Sequence, residues 1–188
     1  MISYVGEVKK SPTNLVVSLL LIALFVNPLV ESLQSVNPIV FMLDHYAMFL
    51  SGSLLGYRYF KGSVLTFSLG SFLAVFWHVP LFFDLAGSYI SYRLICEATL
   101  VLGGVLAGSY IPRMNLTTKV TSLALYMLGD SLLSIFFILG YPQYSSQDFP
   151  LLSWGPSQLP AVGITMFVVM NLVLIYAIFK LMKNISLI

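Results

Sequence analysis

The stretch PIVFMLDHYAMFLSGSLLGY, residues 38–57, is a mostly apolar run that stops next to the basic residues Arg58 and Lys61. An α-helix rises about 1.5 Å per residue, so about 20 residues cross a hydrocarbon core of about 30 Å. Five other apolar runs accompany it, and we predict an all-α polytopic membrane protein with six transmembrane helices in one bundle. The single domain covers residues 1–188, with spans at about 14–30, 38–57, 63–83, 91–110, 119–140 and 159–182.

The basic residues predict how the six spans are oriented in the membrane. Six spans leave eight of the nine Lys and Arg residues on one side and only Arg93 on the other. Cytoplasmic loops carry an excess of Lys and Arg, so we predict a multi-pass protein of the cell membrane with cytoplasmic N- and C-termini. One span more or fewer would scatter these charges over both sides. The eight are Lys9, Lys10, Arg58, Lys61, Arg113, Lys119, Lys180 and Lys183.

Composition supports a bilayer environment and excludes several functions. Apolar residues make up 59% and charged residues 9%, against about 25% charged in soluble domains. The net charge of +2 belongs to the topology signal, so we predict no nucleic-acid partner. No Walker loop, HExxH, GxSxG or CxxC motif occurs, so we predict no enzymatic activity. The single cysteine, Cys96, excludes an internal disulfide.

Ionisable residues inside the spans carry the functional hypothesis, because a charge at membrane depth costs about 3 kcal/mol or more. Three antiparallel spans bring several of them to one level, about 8 to 10 Å below the outer face. These are Asp44 and His45 in the second span, His78 in the third, and Cys96 and Glu97 in the fourth. Asp84 follows the third span at its outer end, and Asp130 lies deeper, near the midplane of the fifth.

Two cofactor chemistries suit these residues. His45 and His78 with Cys96 or Met42 form a soft ligand set of the kind that Cu(I) prefers. Alternatively, the two histidines ligate a b-type haem between the second and third spans, and Glu97 or Asp44 accepts a ring N–H hydrogen bond. Asp84 and Asp130 are further candidates to accept hydrogen bonds or relay protons.

Structural interpretations compete with each of these. A membrane histidine often only bonds neighbouring helices, and Glu97 is four residues from Arg93, a spacing that allows an ion pair on one helix face. The GxxxG pairs Gly52/Gly56 and Gly104/Gly108 indicate close helix packing or, alternatively, room for a flat cofactor or a lipid tail. A transporter with Asp130 and Glu97 as a proton relay is disfavoured, because no inverted repeat is visible.

Four segments carry a resemblance to a known family. FMLDHYAMFL (41–50) resembles the HMxQHxLL signature of the CtaG-type membrane proteins, which are cytochrome oxidase assembly factors. FWHVPLFFDLA (76–86) resembles their WHxPxLYDxA segment, CEATLVLGGVLAG (96–108) their LEHxxFLxxGxLFW helix, and GYPQYS (140–145) the YPxY that follows their next span. The resemblance runs from about Asn37 to the sixth helix and is close to a compact archaeal branch of that family.

The resemblance implies an accessory or assembly protein of a haem-copper terminal oxidase, with oxidase subunits as partners and copper handled at the outer face. This sequence departs from the pattern at two positions, since Phe41 and Ala98 stand where the family has histidines. The family's chemistry therefore carries over only to His45, His78 and Glu97. The alternatives are a small haem b or quinol-binding respiratory subunit, and a structural subunit of a respiratory complex without a cofactor.

Overall fold

The computed structural model describes residues 2–4 and 12–185, with the side chains of Tyr4 and of residues 181–185 left undescribed. This part of the chain is helical apart from one antiparallel pair of two-residue strands, β1 (Ser3–Tyr4) and β2 (Phe60–Lys61). The helices are α1 (Thr13–Phe25), α2 (Pro28–Gln34), α3 (Pro38–Tyr59), α4 (Val64–Trp77), α5 (Pro80–Ser88), α6 (Ile90–Tyr110), α7 (Leu116–Ile138) and α8 (Leu159–Ile185).

Several of these helices are long and apolar enough to cross a membrane. Four qualify by themselves, namely Pro38–Tyr59, Ile90–Arg113, Leu116–Ile138 and Pro156–Lys180. The bent pairs α1/α2 and α4/α5 qualify when each pair is counted as one span, which raises the number to six. The all-helical fold class with apolar spans is therefore confirmed. The bundle of six spans and its orientation stay predictions, and Lys9 and Lys10 lie outside the described residues.

Prolines divide the first and third predicted spans, which the sequence analysis treated as uninterrupted. The bends are 63° between α1 and α2 and 68° between α4 and α5. Pro28 and Pro80 begin the second helix of each pair, where their missing N–H is harmless and their ring excludes continuation from the preceding turn. Asn27 caps α2, its Oδ1 accepting from the Leu29 and Val30 N–H groups at 3.1 Å.

The most extensive helix contact joins α3 to α6 through the two glycine pairs. A Cβ at Gly52 or Gly56 would collide with the backbone of Val101 or Val105, and one at Gly104 or Gly108 with the backbone of Phe49 or Ser53. The GxxxG motifs thus let two backbones approach each other, as in close membrane helix pairs. The described structure leaves no room between them for a flat cofactor.

The hydrophobic core lies at the end of the helices that carries the loop 140–158, which is called the outer loop after the orientation predicted from the sequence. The core combines residues of α3 to α8 with this loop, which folds inward. Gly140 ends α7 with φ +63°, a conformation that favours glycine, and the Tyr141 N–H donates back to the Phe136 carbonyl at 3.0 Å. Trp154, Leu152 and Tyr144 of this loop are buried.

Candidate functional site

His45, His78 and Cys96 come from three helices and meet at the end of the bundle that carries the loop 140–158. Asn37 and Pro38 start α3, which places His45 two turns inside. His78 is the C-cap of α4, because Pro80 ends the helix just beyond it. Cys96 lies in the second turn of α6. The Cys96 Sγ and the His45 Nε2 are 3.3 Å apart, and the two imidazole centroids are 5.4 Å apart at 66°.

The hydrogen bonds of the two imidazoles define their tautomers. The His45 Nδ1 lies 2.8 Å from the Phe41 carbonyl oxygen, and the His78 Nδ1 lies 2.7 Å from that of Ala74. A carbonyl oxygen only accepts, so each Nδ1 carries the proton and each neutral ring has a bare Nε2. The Cys96 thiol therefore donates to the His45 Nε2. The two Nε2 atoms and the thiol are the groups available to coordinate a soft metal ion.

Aromatic side chains surround this cluster, and the described residues leave no slot for a haem between the two imidazoles. Phe41 packs edge-on against His45 with centroids 4.5 Å apart, and Phe83 lies 6.1 Å from the same ring. A haem with two histidine ligands would need a space of macrocycle size between the imidazoles, which here stand edge to face. The residues present do not fit that group.

The donor atoms suit copper by their chemistry but not by their present spacing. A thiol and two imidazoles are ligands that Cu(I) prefers. However, among residues 2–4 and 12–185 no three or more His, Cys, Asp or Glu side chains are spaced to hold one metal ion. Met42, the fourth predicted ligand, is fully buried in the core. The structure brings His45, His78 and Cys96 together, and the metal site itself stays a prediction.

A second polar cluster lies beside the first and contains two residues that the sequence analysis did not select. Asp44 is fully buried, and within residues 2–4 and 12–185 neither of its carboxyl oxygens has a hydrogen-bond partner. It lies near enough to Glu31, Glu97 and Arg93 to interact with them electrostatically. Glu97 accepts a long hydrogen bond of 3.5 Å from the Gln34 Nε2. The two residues that were not selected, Glu31 and Gln34, belong to α2, which is bent by 63° from α1 and contacts α3.

Arg93 pairs with Glu31, whereas the sequence spacing suggested a pair with Glu97. The Arg93 Nη1 is 3.5 Å from the Glu31 Oε2. The guanidinium also donates to three carbonyl oxygens, those of Glu31 (2.8 Å), Ala86 (3.1 Å) and Gly87 (2.6 Å). Because α5 ends at Ser88, Arg93 supplies donors to its last turn and ties both bent helix pairs to α6.

The two remaining predicted residues lie apart from the imidazoles. Asp84 is buried on α5, and its Oδ1 has no hydrogen-bond partner in the described part of the chain. Asp130 lies in the middle of α7, where its Oδ1 accepts a 2.6 Å hydrogen bond from the Tyr46 hydroxyl. Tyr46 follows His45 on α3, so this bond connects Asp130 to the helix that carries His45.

Comparison with known proteins identifies a family. A family model described as "Protein of unknown function (DUF1404)" matches residues 16–184, most of the chain. The chain belongs to the DUF1404 family. The matched range of this DUF1404 member includes α2 to α7 and with them both polar clusters. No curated protein and no solved structure matches it.

Proposed function

We propose that the protein is an accessory or assembly membrane protein of a haem-copper terminal oxidase and that it handles copper at the outer face. The observation that carries the proposal is the contact between the Cys96 Sγ and the His45 Nε2, with the His78 ring beside them. The oxidase as partner is supported by the resemblance of four segments to CtaG-type proteins. No catalytic step is part of the proposal.

The surroundings of the cluster support reversible metal handling. Both imidazoles are held by backbone carbonyls through Nδ1, which leaves Nε2 as the coordinating atom, as in protein metal sites whose ligands have fixed tautomers. Cu(I) would bind here as cargo through thiolate and imidazole, and the thiol proton would leave on binding. The aromatic wall of Phe41 and Phe83 keeps water from these atoms.

A structural subunit without a cofactor is the second candidate. It is favoured by the absence of an assembled set of three ligands among the described residues. In this case the histidines and the thiol would only connect α3, α4 and α6. Single hydrogen bonds of this kind contribute about 0.6 kcal/mol on average in membranes.

Copper binding by single-residue variants separates the two candidates. We expect the purified protein to bind one Cu(I) in competition with a chromogenic chelator, and His45→Ala, His78→Ala and Cys96→Ser each to lose it while remaining inserted. Tyr46→Phe is the matched control, since Tyr46 neighbours His45 but bonds Asp130. Unchanged Cu(I) affinity in all three cluster variants would support the structural candidate.

The role in oxidase assembly has its own test in the native host. Deletion of the gene should lower the copper content and activity of the terminal oxidase, and the wild-type gene should restore both. The His45→Ala and His78→Ala genes should fail to restore them although the proteins accumulate in the membrane. Full restoration by both variants would contradict copper handling.

A further inference from the structure

Tyr144 reaches from the outer loop to the backbone of His78. Its hydroxyl donates to the His78 carbonyl oxygen at 2.9 Å. The side chain is only 5% exposed. Its phenolic O–H is a hydrogen-bond donor.

The helix break removes the helical N–H group that would otherwise donate to the His78 carbonyl. In an unbroken helix the His78 oxygen would accept from the N–H of residue 82. Here the helix stops before Pro80, and the Phe82 N–H donates instead to the Val79 oxygen at 3.0 Å. A partly buried carbonyl at a helix end needs a replacement donor, and the phenol supplies it.

The outer loop itself is docked firmly around Tyr144. The Trp154 Nε1 donates to the Tyr144 carbonyl at 3.2 Å, and the phenol ring lies 4.9 Å from the Phe137 centroid. Trp154 in turn occupies the space over Gly87, where a Cβ would come within 2.6 Å of the indole. Loop position and His78 backbone are thus connected by a continuous series of contacts.

We propose that Tyr144 is a positioning residue for His78. His78 is held at two points. Its imidazole Nδ1 donates to the Ala74 carbonyl, and its backbone oxygen accepts from the Tyr144 phenol. The second bond determines the rotation of the His78 peptide at the helix break, and hence how the ring meets His45. What the positioned ring binds rests on the proposed copper function, whereas the positioning itself does not.

The direct test observes the histidine rings. The chain has only two histidines, so ¹⁵N-histidine labelling in detergent shows two sets of ring signals, assigned with His45→Ala. Tyr144→Phe should shift the His78 signals more than those of His45. Tyr141→Phe is the matched control, because Tyr141 is 40% exposed and stacks on Phe136, and it should shift neither set. Unchanged His78 signals in Tyr144→Phe would overturn the inference.

Copper affinity provides the second readout. Loss of a residue that orients a ligand typically weakens metal binding 10- to 100-fold, so the dissociation constant for Cu(I) should rise by about this factor in Tyr144→Phe. It should remain at the wild-type value in Tyr141→Phe. A wild-type value in Tyr144→Phe overturns the positioning role. A wild-type protein that binds no Cu(I) contradicts the proposed function instead, and the ring signals then decide the positioning role alone.

Should Tyr144→Phe not fold, Trp154→Phe tests the same series of contacts. It keeps an aromatic ring over Gly87 but removes the Nε1 donor to the Tyr144 carbonyl. The His78 ring signals should shift in the same direction as expected for Tyr144→Phe and by a smaller amount. His78 signals at their wild-type positions in a folded Trp154→Phe would overturn the inference.

Discussion

Arg93 is a buried connector, although it is the single basic residue predicted on the outer side. Its side chain is 3% exposed, and its guanidinium bonds three backbone carbonyls and the Glu31 carboxylate. Arg93 thus supplies donors to the end of one helix and pairs with a partly buried acid, which is a structural role. Its position outside the positive-inside pattern thus has a physical cause.

Replacing Arg93 should destabilise the protein. Arg93→Met leaves the Glu31 charge and the carbonyls of the last turn of α5 without donors, and breaking a buried pair this way costs about 3 kcal/mol or more. We expect a marked fall in the thermal midpoint in detergent. Lys119→Met, on an exposed residue of α7, is the control and should change the midpoint little. Equal midpoints in the two variants would contradict the connector role.

The Tyr46–Asp130 bond gives a second prediction. It joins α3 to α7 at 2.6 Å, and each side chain is only partly exposed. Tyr46→Phe and Asp130→Asn should each destabilise the protein, and a double-mutant cycle in detergent should give a coupling of about 1 kcal/mol. Additive effects of the two substitutions would show that the bond contributes nothing to stability.

Sequence reasoning found most of the clustered residues but not all. His45, His78 and Cys96 could be predicted to meet because helix rise converts residue number into depth, and antiparallel spans share one scale. Glu31 and Gln34 could not, because they follow a span that was expected to end at Val30. The Asn27-Pro28 pair was the available signal, since Asn is a strong N-cap and Pro favours the first helical position.

Among the elements, the α3–α6 pair depends most on side-chain size. Gly104→Ala would place a methyl group against the Phe49 carbonyl, and overpacking of this kind costs about 1 to 3 kcal/mol. We expect a lower thermal midpoint and impaired copper binding, because Cys96 lies on α6. Gly129→Ala on α7 is the matched control, as nothing lies within 4 Å of its Cβ position. A midpoint for Gly104→Ala no lower than that of Gly129→Ala would contradict the packing.

Element boundaries were predictable where apolar composition is continuous. The ends of α3, α6 and α7 lie within a few residues of the predicted spans, because length and hydropathy suffice to define a straight helix. The breaks at Pro28 and Pro80 escaped prediction, since a proline in a transmembrane segment is often tolerated when neighbouring groups satisfy the freed carbonyls. At the Pro80 break Tyr144 does so, and it comes from a distant part of the sequence.

At the scale of the whole molecule, the eight-to-one distribution of Lys and Arg predicts the orientation. In a Cys96→Ser background, a cysteine at Gln143 or Gln147, both exposed in the outer loop, should react with a membrane-impermeant maleimide in intact cells. A cysteine at Lys61 should react only after permeabilisation. The opposite pattern would reverse the orientation and place the cluster near the cytoplasm.

The central claim is that Cys96, His45 and His78 bind copper together, and X-ray absorption of the protein loaded with Cu(I) tests it most directly. The account predicts one Cu(I) per chain with one sulfur and at least one imidazole nitrogen as neighbours, the sulfur signal being lost in Cys96→Ser and nitrogen scattering reduced in His45→Ala. Copper that binds without sulfur, or that keeps the same neighbours in both variants, would contradict the account.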